Sequence, residues 1–205
     1  MYRAPVNKFL STVILVFFTA NTLSEAHQPQ EGRVLATGGF FTHQTHALKT
    51  FDNADAPLLL GVGLLAEGDL NDYGGLEVGL FYYDKSYLRN SGTGLVVEKT
   101  HKLDVPIGYR YWFNPVFSAG LSLSALFSVG DYQFITNANT SGDVTGAETL
   151  TEYAVDLSFQ WEVWSSNLVG IILDGRYAYS LSGKAGEDAN QYGLFVGFKY
   201  FIQEK

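Results

Sequence analysis

The sequence predicts an all-β chain, a closed up-and-down antiparallel transmembrane β-barrel of about eight strands, and three observations predict it. The first is strict period-two alternation from Thr151 to Ser180, a hairpin folded at Ser165-Ser166-Asn167. Its odd positions are Tyr153, Val155, Leu157, Phe159, Trp161 and Val163, then Val169, Ile171, Leu173, Gly175, Tyr177 and Tyr179. Its even positions are Glu152, Ala154, Asp156, Ser158, Gln160 and Glu162, then Gly170, Ile172, Asp174, Arg176, Ala178 and Ser180. Strands that face two different solvents read this way. The second is length, since most segments reach the roughly 9–11 residues that a tilted strand needs to cross a bilayer. The third is the parity of the connections: the first, third, fifth and seventh are long and polar, and the second, fourth and sixth are tight turns. A soluble sandwich has no reason to sort its loops by parity.

Composition bounds the function classes. The 205 residues hold 22 glycines, 13 tyrosines and 15 phenylalanines, with 46% hydrophobic and 17% charged residues, which suits one domain with a sizeable core. The absence of cysteine excludes a disulfide framework and thiolate chemistry. A net charge of −8, with no basic concentration anywhere, excludes a nucleic-acid partner. At the N-terminus Arg3 and Lys8 precede an apolar run from Phe9 to Ala20, and Ser24-Glu25-Ala26 offers small residues at both positions that a signal peptidase reads. The run is shorter than the roughly 20 residues of a spanning helix. The division expected is a cleaved signal peptide over 1–26 and a barrel domain over 27–205.

Taken in order, the first strand runs from about Arg33 to His43, with Val34, Leu35, Phe40 and Phe41 falling on both faces, and a polar loop follows from Gln44 to Ala56. The second, Pro57 to Glu67, sets Leu58, Leu60, Val62 and Leu64 against Gly61, Gly63 and Glu67, and the Gly/Asn/Asp chemistry of 68–72 turns the chain. The third, Tyr73 to about Tyr87, sets Leu76, Val78, Leu80 and Tyr82 against Glu77, Gly79, Phe81 and Tyr83. After a loop at Arg89–Gly94, the fourth runs from Val96 to Phe113. It sets Leu103, Val105, Ile107, Tyr109, Tyr111 and Phe113 against Lys102, Asp104, Pro106, Gly108, Arg110 and Trp112. Asn114-Pro115 turns tightly into the fifth, Val116 to Phe134, where Ala119, Leu121, Leu123, Ala125, Phe127 and Val129 oppose a serine and glycine stripe. A polar loop at Thr136–Glu148 leads into the hairpin. The loop Ser182–Asn190 then precedes the last strand, Gln191 to Gln203, with Tyr192, Leu194, Val196, Phe198 and Tyr200 on one face.

Energetics assign the faces. The charged stripe is diluted with glycine, serine and alanine, which suits a cramped interior, and placing it in lipid costs up to roughly 2–4 kcal/mol for each basic side chain near the midplane. The Leu-, Val-, Phe- and Tyr-rich stripe therefore points outward. Its aromatics fall into two girdles, Tyr109, Tyr111, Phe113, Trp161 and Tyr200 near the short turns and Tyr82, Tyr153, Tyr177 and Tyr179 near the long loops.

With eight strands and this loop asymmetry the mature chain resembles the small eight-stranded outer-membrane barrels of the OmpA/OmpX type of Gram-negative bacteria. The likeness is sharper at Leu103-Asp104-Val105-Pro106-Ile107-Gly108-Tyr109-Arg110-Tyr111, similar to a strand that precedes a periplasmic turn. It is also sharper at Gln191-x-Gly193-x-x-Val196-x-Phe198, which resembles the assembly signal of the last strand. The family normally ends on an aromatic, whereas this chain runs past Phe201 to Ile202-Gln203-Glu204-Lys205. The resemblance implies an outer-membrane location and contact with outer-membrane lipids, including lipopolysaccharide. It also implies delivery by the assembly machinery through the last strand.

Eight strands leave an interior just wide enough for side chains to fill. The inward charges form two expected layers, Glu67, Glu77, Arg110, Glu162 and Lys199 toward the short turns and Asp104, Asp156, Asp174 and Arg176 nearer mid-depth. Buried charges persist when paired, so a salt-bridged plug centred on Arg110 and Arg176 is expected. The function expected is non-enzymatic and without a cofactor: envelope integrity, or presentation of the loops around Asn90, Asp143 and Glu187 to an outside ligand that the sequence does not identify. The alternatives are a small gated channel, a lipid A-modifying hydrolase, and a soluble lipocalin-like barrel around an apolar ligand.

Four details remain. Pro106 breaks the ladder rule and implies a bulge or an inward kink. His43 and His46, with Asp52 and Asp55 beyond, have metal-like spacing but read as solvated loop residues. Asn139-Thr140-Ser141 matches a glycosylation sequon in a polar loop, which is a weak pattern. His101 falls on the outward parity near the rim, with no neighbouring serine or acid apparent from sequence to make a hydrolytic constellation.

Overall fold

A computed structural model of the chain describes residues 29–46, 56–90, 95–130, 133–134, 151–166, 168–182 and 187–202. The segment read as a signal peptide, Asp52, Asp55, the sequon at 139–141 and Asp143 lie outside them. The long strands are β1 (Val34–Thr45), β2 (Leu59–Asn71), β3 (Gly74–Asn90), β4 (Leu95–Asn114) and β5 (Phe117–Ser128). After the two-residue β6 (Gln133–Phe134) come β7 (Glu152–Ser165) and β8 (Val169–Ser180), then the two-residue β9 (Glu187–Asp188) and β10 (Gln191–Ile202). Each long strand pairs antiparallel with its sequence neighbours. β1 pairs with β10 from Val34↔Ile202 to Thr45↔Gln191, which closes eight strands into a barrel.

Two of the three tight turns share one device. Asn71 Oδ1 accepts from the backbone N–H of Tyr73 (2.9 Å) and Gly74 (3.1 Å), and Asn114 Oδ1 accepts from those of Val116 and Phe117 (2.9 Å each). An asparagine side chain standing in for a backbone acceptor is an Asx turn. Closure pairs each of the eight long strands on both sides within the ring, and parity sorts the residues. Phe41, Leu65, Phe81, Tyr83, Leu126, Ala154, Ile172 and Phe195 form an inward cluster. Leu123 and Phe159, on the outward stripe, are 66% and 68% exposed.

The structure refines several expectations. β1 resolves its two-sided pattern, with Leu35, Thr37, Phe41, His43 and Thr45 inward and Phe40 outward. β2 runs to Asn71, with a register shift between Asp69 and Asn71, so the turn at its end is only Asp72–Tyr73. Pro106 makes no bulge. The β3–β4 register is the same on both sides of it, and only the pairings opposite Val105 and Pro106 are missing, while Pro106↔Ser124 holds on the β5 side. The reason is space: a Cβ on Gly79, the residue opposite, would lie 2.7 Å from Pro106 Cγ, so glycine there accommodates the ring without displacing the strand.

The third connection is also unlike a long loop. β3 and β4 overrun the ring, pairing up to Asn90↔Leu95, whereas β2 leaves β3 at Tyr83 and β5 leaves β4 at Ser128. β9 takes over the edge β2 vacates, at Leu88 and Arg89, and β6 takes over the other edge, at Glu98 and Lys99.

Candidate functional site

The lumen brings together the charged side chains that parity turns inward. β4 carries Arg110 between Gly75 of β3 and Gly120 of β5, and a Cβ on Gly120 would lie 2.5 Å from Ser158 Oγ, so glycine there leaves space for a hydroxyl that Arg110 holds. Arg110 is 1% exposed. Its Nε donates to Glu77 Oε2 (2.7 Å), its Nη1 to Ser118 (3.1 Å) and its Nη2 to Ser158 (3.0 Å) and Asp174 Oδ2 (3.3 Å). From β8, Arg176 donates through Nη2 to Glu77 Oε1 (2.5 Å), through Nη1 to Asp156 Oδ2 (2.8 Å) and through Nε to Asp174 Oδ2 (2.9 Å). Two guanidiniums thus share Glu77 and Asp174, and Arg176 alone holds Asp156. Charge-assisted bonds of this kind are the stronger ones, and with Ser118, Ser158 and Asp156 the two guanidiniums tie β3, β4, β5, β7 and β8 together.

The other predicted residues lie above and below this centre. Toward the short turns, Lys199 Nζ pairs with Glu162 Oε2 (3.0 Å) and lies 4.6 Å from the Trp112 ring centroid. Glu67 is buried nearby, and its Oε1 meets no hydrogen-bond partner. Toward the long loops, Asp104 makes no ion pair among the described residues and accepts from the Tyr83 hydroxyl (3.2 Å). It lines a void of about 10 Å³ with Asp156, Arg176, Gln191, Phe41 and Phe81.

A third layer lies nearer the long loops and was not among the predicted site residues. Lys85 and Lys102 meet the two oxygens of Glu152 at 2.9 and 2.7 Å, and the Tyr87 hydroxyl donates to the same carboxylate. Parity marks all three charges as inward. The missing signal was depth, because β3 and β4 carry the lumen beyond the height inferred from sequence.

On the outside, Tyr82, Tyr109, Tyr111, Phe113, Tyr153, Tyr179 and Tyr200 are exposed, while Tyr177 and Trp161 are half-buried, Trp161 stacking on Phe117 at 5.9 Å. The histidines depart from the sequence reading. His43 is buried inside the barrel, stacked on Phe41 (5.1 Å) and close to Tyr83 (4.6 Å), because β1 extends to Thr45 with its odd residues inward. His46 Nδ1 lies 3.3 Å from the Tyr177 hydroxyl. No metal-holding group of three or more His, Cys, Asp or Glu residues occurs among the described residues. His101 does have an acid. The register Asp84↔His101 sets Asp84 against its Nδ1, and Lys99 pairs with the same carboxylate at 2.8 Å. Among the described residues no serine joins them.

No family model matches the chain, and no curated protein matches it. Among solved structures it is similar to the outer membrane protein OprG from Pseudomonas aeruginosa, with TM-score 0.60 and 12% identity over 87% of this chain and 99% of that one. It is also similar to Ail, the attachment invasion locus protein of Yersinia pestis, with TM-score 0.49 and 14% identity over 84% of this chain and 100% of that one. At such identities the likeness concerns the fold alone. In fold, the chain is a closed eight-stranded antiparallel β-barrel of the kind the outer membrane protein OprG has.

Proposed function

We propose that the chain is an integral outer-membrane protein, exported by cleavage of its first 26 residues, whose side-chain-filled lumen serves envelope structure and whose long loops offer a contact surface. The observation that carries this reading is the pairing of an apolar exterior with an ionic interior. Leu60, Val62, Leu64, Ile107, Leu121, Leu123, Leu157 and Phe159 are all exposed on the outward stripe, and a soluble monomer rarely carries a contiguous apolar patch of more than a few hundred Å². Lipid covers such a stripe. A lipocalin-like reading needs the opposite assignment of faces, and its apolar ligand would have to displace Arg110, Arg176 and their three carboxylates, Glu77, Asp156 and Asp174.

The lumen argues against an open channel. Side chains fill it at every charged layer, and the void beside Asp104 and Asp156 holds about one water. The network is read as structural, the loops as the surface that meets lipopolysaccharide or an outside ligand, and the last strand as the segment offered to the assembly machinery.

Two measurements test this. In fractionated cells the protein sediments with outer membranes, and its unboiled band in SDS gels migrates apart from the boiled one; a band that does neither overturns the reading. In planar bilayers the protein gives no steady ion conductance; a steady current lost on Arg176→Ala establishes a channel instead.

A further inference from the structure

The short-turn end of the barrel holds a cavity of about 450 Å³, within the roughly 300–1,000 Å³ of small-molecule sites. Its walls are the segment before β1, the β2–β3 turn and the end of β4, which contribute Gln30, Arg33, Asp72, Tyr73, Trp112 and Phe113. Backbone bonds hold these walls in place. Gly32, at φ 82°, turns the chain so that its N–H donates to the Asp69 carbonyl (3.0 Å). The N–H of Gln30 donates to Asp69 Oδ2 (3.0 Å), and that of Asp69 to the Arg33 carbonyl (2.9 Å). Gln30 Oε1 steadies the Arg33 guanidinium by accepting from its Nη2 (3.0 Å). On the other wall the Trp112 N–H donates to the Tyr73 carbonyl (2.8 Å).

The lining selects a ligand by charge. Arg33 offers a forked donor set that suits a phosphate. Asp69 lies close enough to offset its charge, and Asp72, exposed on the turn, adds a second carboxylate. Behind the wall Lys199 pairs with Glu162 and has Glu67 nearby, so no surplus of cations surrounds the cavity. A purely anionic ligand therefore gains little, whereas an ammonium is drawn to Asp72 and to aromatic faces of the kind that line this cavity.

Position narrows the choice further. Tyr73 and Phe113 are 63% and 61% exposed, and Phe113 continues the outward stripe through Tyr111, whose ring it meets edge-on at 5.4 Å. Trp112 is buried on the inward side. The cavity thus reaches from the base of the lumen to the border of the lipid-facing surface, the level at which headgroups meet interfacial aromatics.

We propose that this cavity holds the headgroup of a zwitterionic phospholipid with a primary ammonium, the phosphate on Arg33 and the ammonium on Asp72. The acyl chains stay outside, along Phe113, Tyr111 and Leu76 of the outward stripe. A choline headgroup has no N–H to give Asp72, and a glycerol headgroup has no cation. The proposal rests on the reading that the outward stripe meets lipid, and deepens it by naming a lipid held at the short-turn end.

The test uses the full-length mature protein in native mass spectrometry after mixing in detergent with equimolar phosphatidylethanolamine, phosphatidylcholine and phosphatidylglycerol of the same acyl chains. Expected is retention of phosphatidylethanolamine several-fold above the other two. Asp72→Asn and Arg33→Gln each lower that retention several-fold, and Lys99→Gln, at the far end of the barrel, keeps it. The shift of the unboiled band verifies that each variant is folded, and the wild-type preference is measured without any variant. Equal retention of the three lipids by wild type, or an unchanged preference in both Asp72→Asn and Arg33→Gln, overturns the proposal. Glycerophosphoethanolamine, the headgroup without chains, displaces the lipid only in large excess; displacement at an equimolar ratio makes the ligand a soluble phosphoamine and overturns the lipid assignment. Failure of the mature protein to insert into phospholipid vesicles overturns the outward-stripe reading itself.

Discussion

Arg176→Ala is the perturbation that most directly probes the plug. Glu77 and Asp174 keep Arg110 when Arg176 is removed, but Asp156 loses its only cation and is left buried at mid-depth. Removing one partner of a buried ion pair costs about 3–5 kcal/mol, roughly two to three and a half decades in the folding equilibrium. Arg110→Ala strips no carboxylate of its last cation, so its cost falls below that of Arg176→Ala. The decisive step is the double variant Arg176→Ala/Asp156→Asn: neutralising the stranded carboxylate recovers most of the loss, and the coupling energy exceeds about 1 kcal/mol. Urea titrations of the refolded protein in lipid vesicles, followed by tryptophan fluorescence and by the unboiled gel band, give these free energies. An Arg176→Ala protein as stable as wild type, or a double variant that is merely the sum of the singles, would refute the reasoning.

Three further outcomes follow from the geometry. Leu123→Arg, on the outward stripe near the middle of β5, destabilises the barrel in vesicles by about 2–4 kcal/mol by the same titration, whereas the exchange is nearly neutral if this face meets water. Gly39→Ala costs about 1–3 kcal/mol, since its Cβ would sit 2.1 Å from the carbonyl oxygen of Val196 and one of the strands that close the barrel must shift; unchanged folding yield would count against the β1–β10 register. Asn114→Ala removes both acceptor bonds of its turn and costs about 1 kcal/mol, with slower refolding of the β4–β5 hairpin measured by stopped-flow fluorescence.

The faces of the strands were legible from residue order because parity is a local property of extended backbone. Residues at 152, 154, 156, 158, 160 and 162 share a side whatever they later pack against. β1 defeated that reading, since Phe40 points out and Phe41 points in, and two adjacent phenylalanines carry no alternation. The partners across the lumen were not legible. That Arg110 and Arg176 share Glu77 depends on strand tilt and stagger around the ring, and two-residue periodicity is silent on both. The Lys85–Lys102–Glu152 cluster went unplaced for a related reason, because hydropathy does not show how far the β3–β4 ladder continues beyond its neighbours. The Asp84–His101 contact is likewise a matter of register between strands, separated by 17 positions along the chain.

The overrunning β3–β4 hairpin has a practical consequence. Each of its vacated edges receives one two-residue rung from a neighbouring connection, so its rim portion is braced from both flanks and not by its own ladder alone. A foreign epitope spliced between Asn90 and Leu95 would therefore ride on a stiffened mast beyond the ring of the barrel. Deleting either rung should loosen the mast without opening the cylinder beneath it.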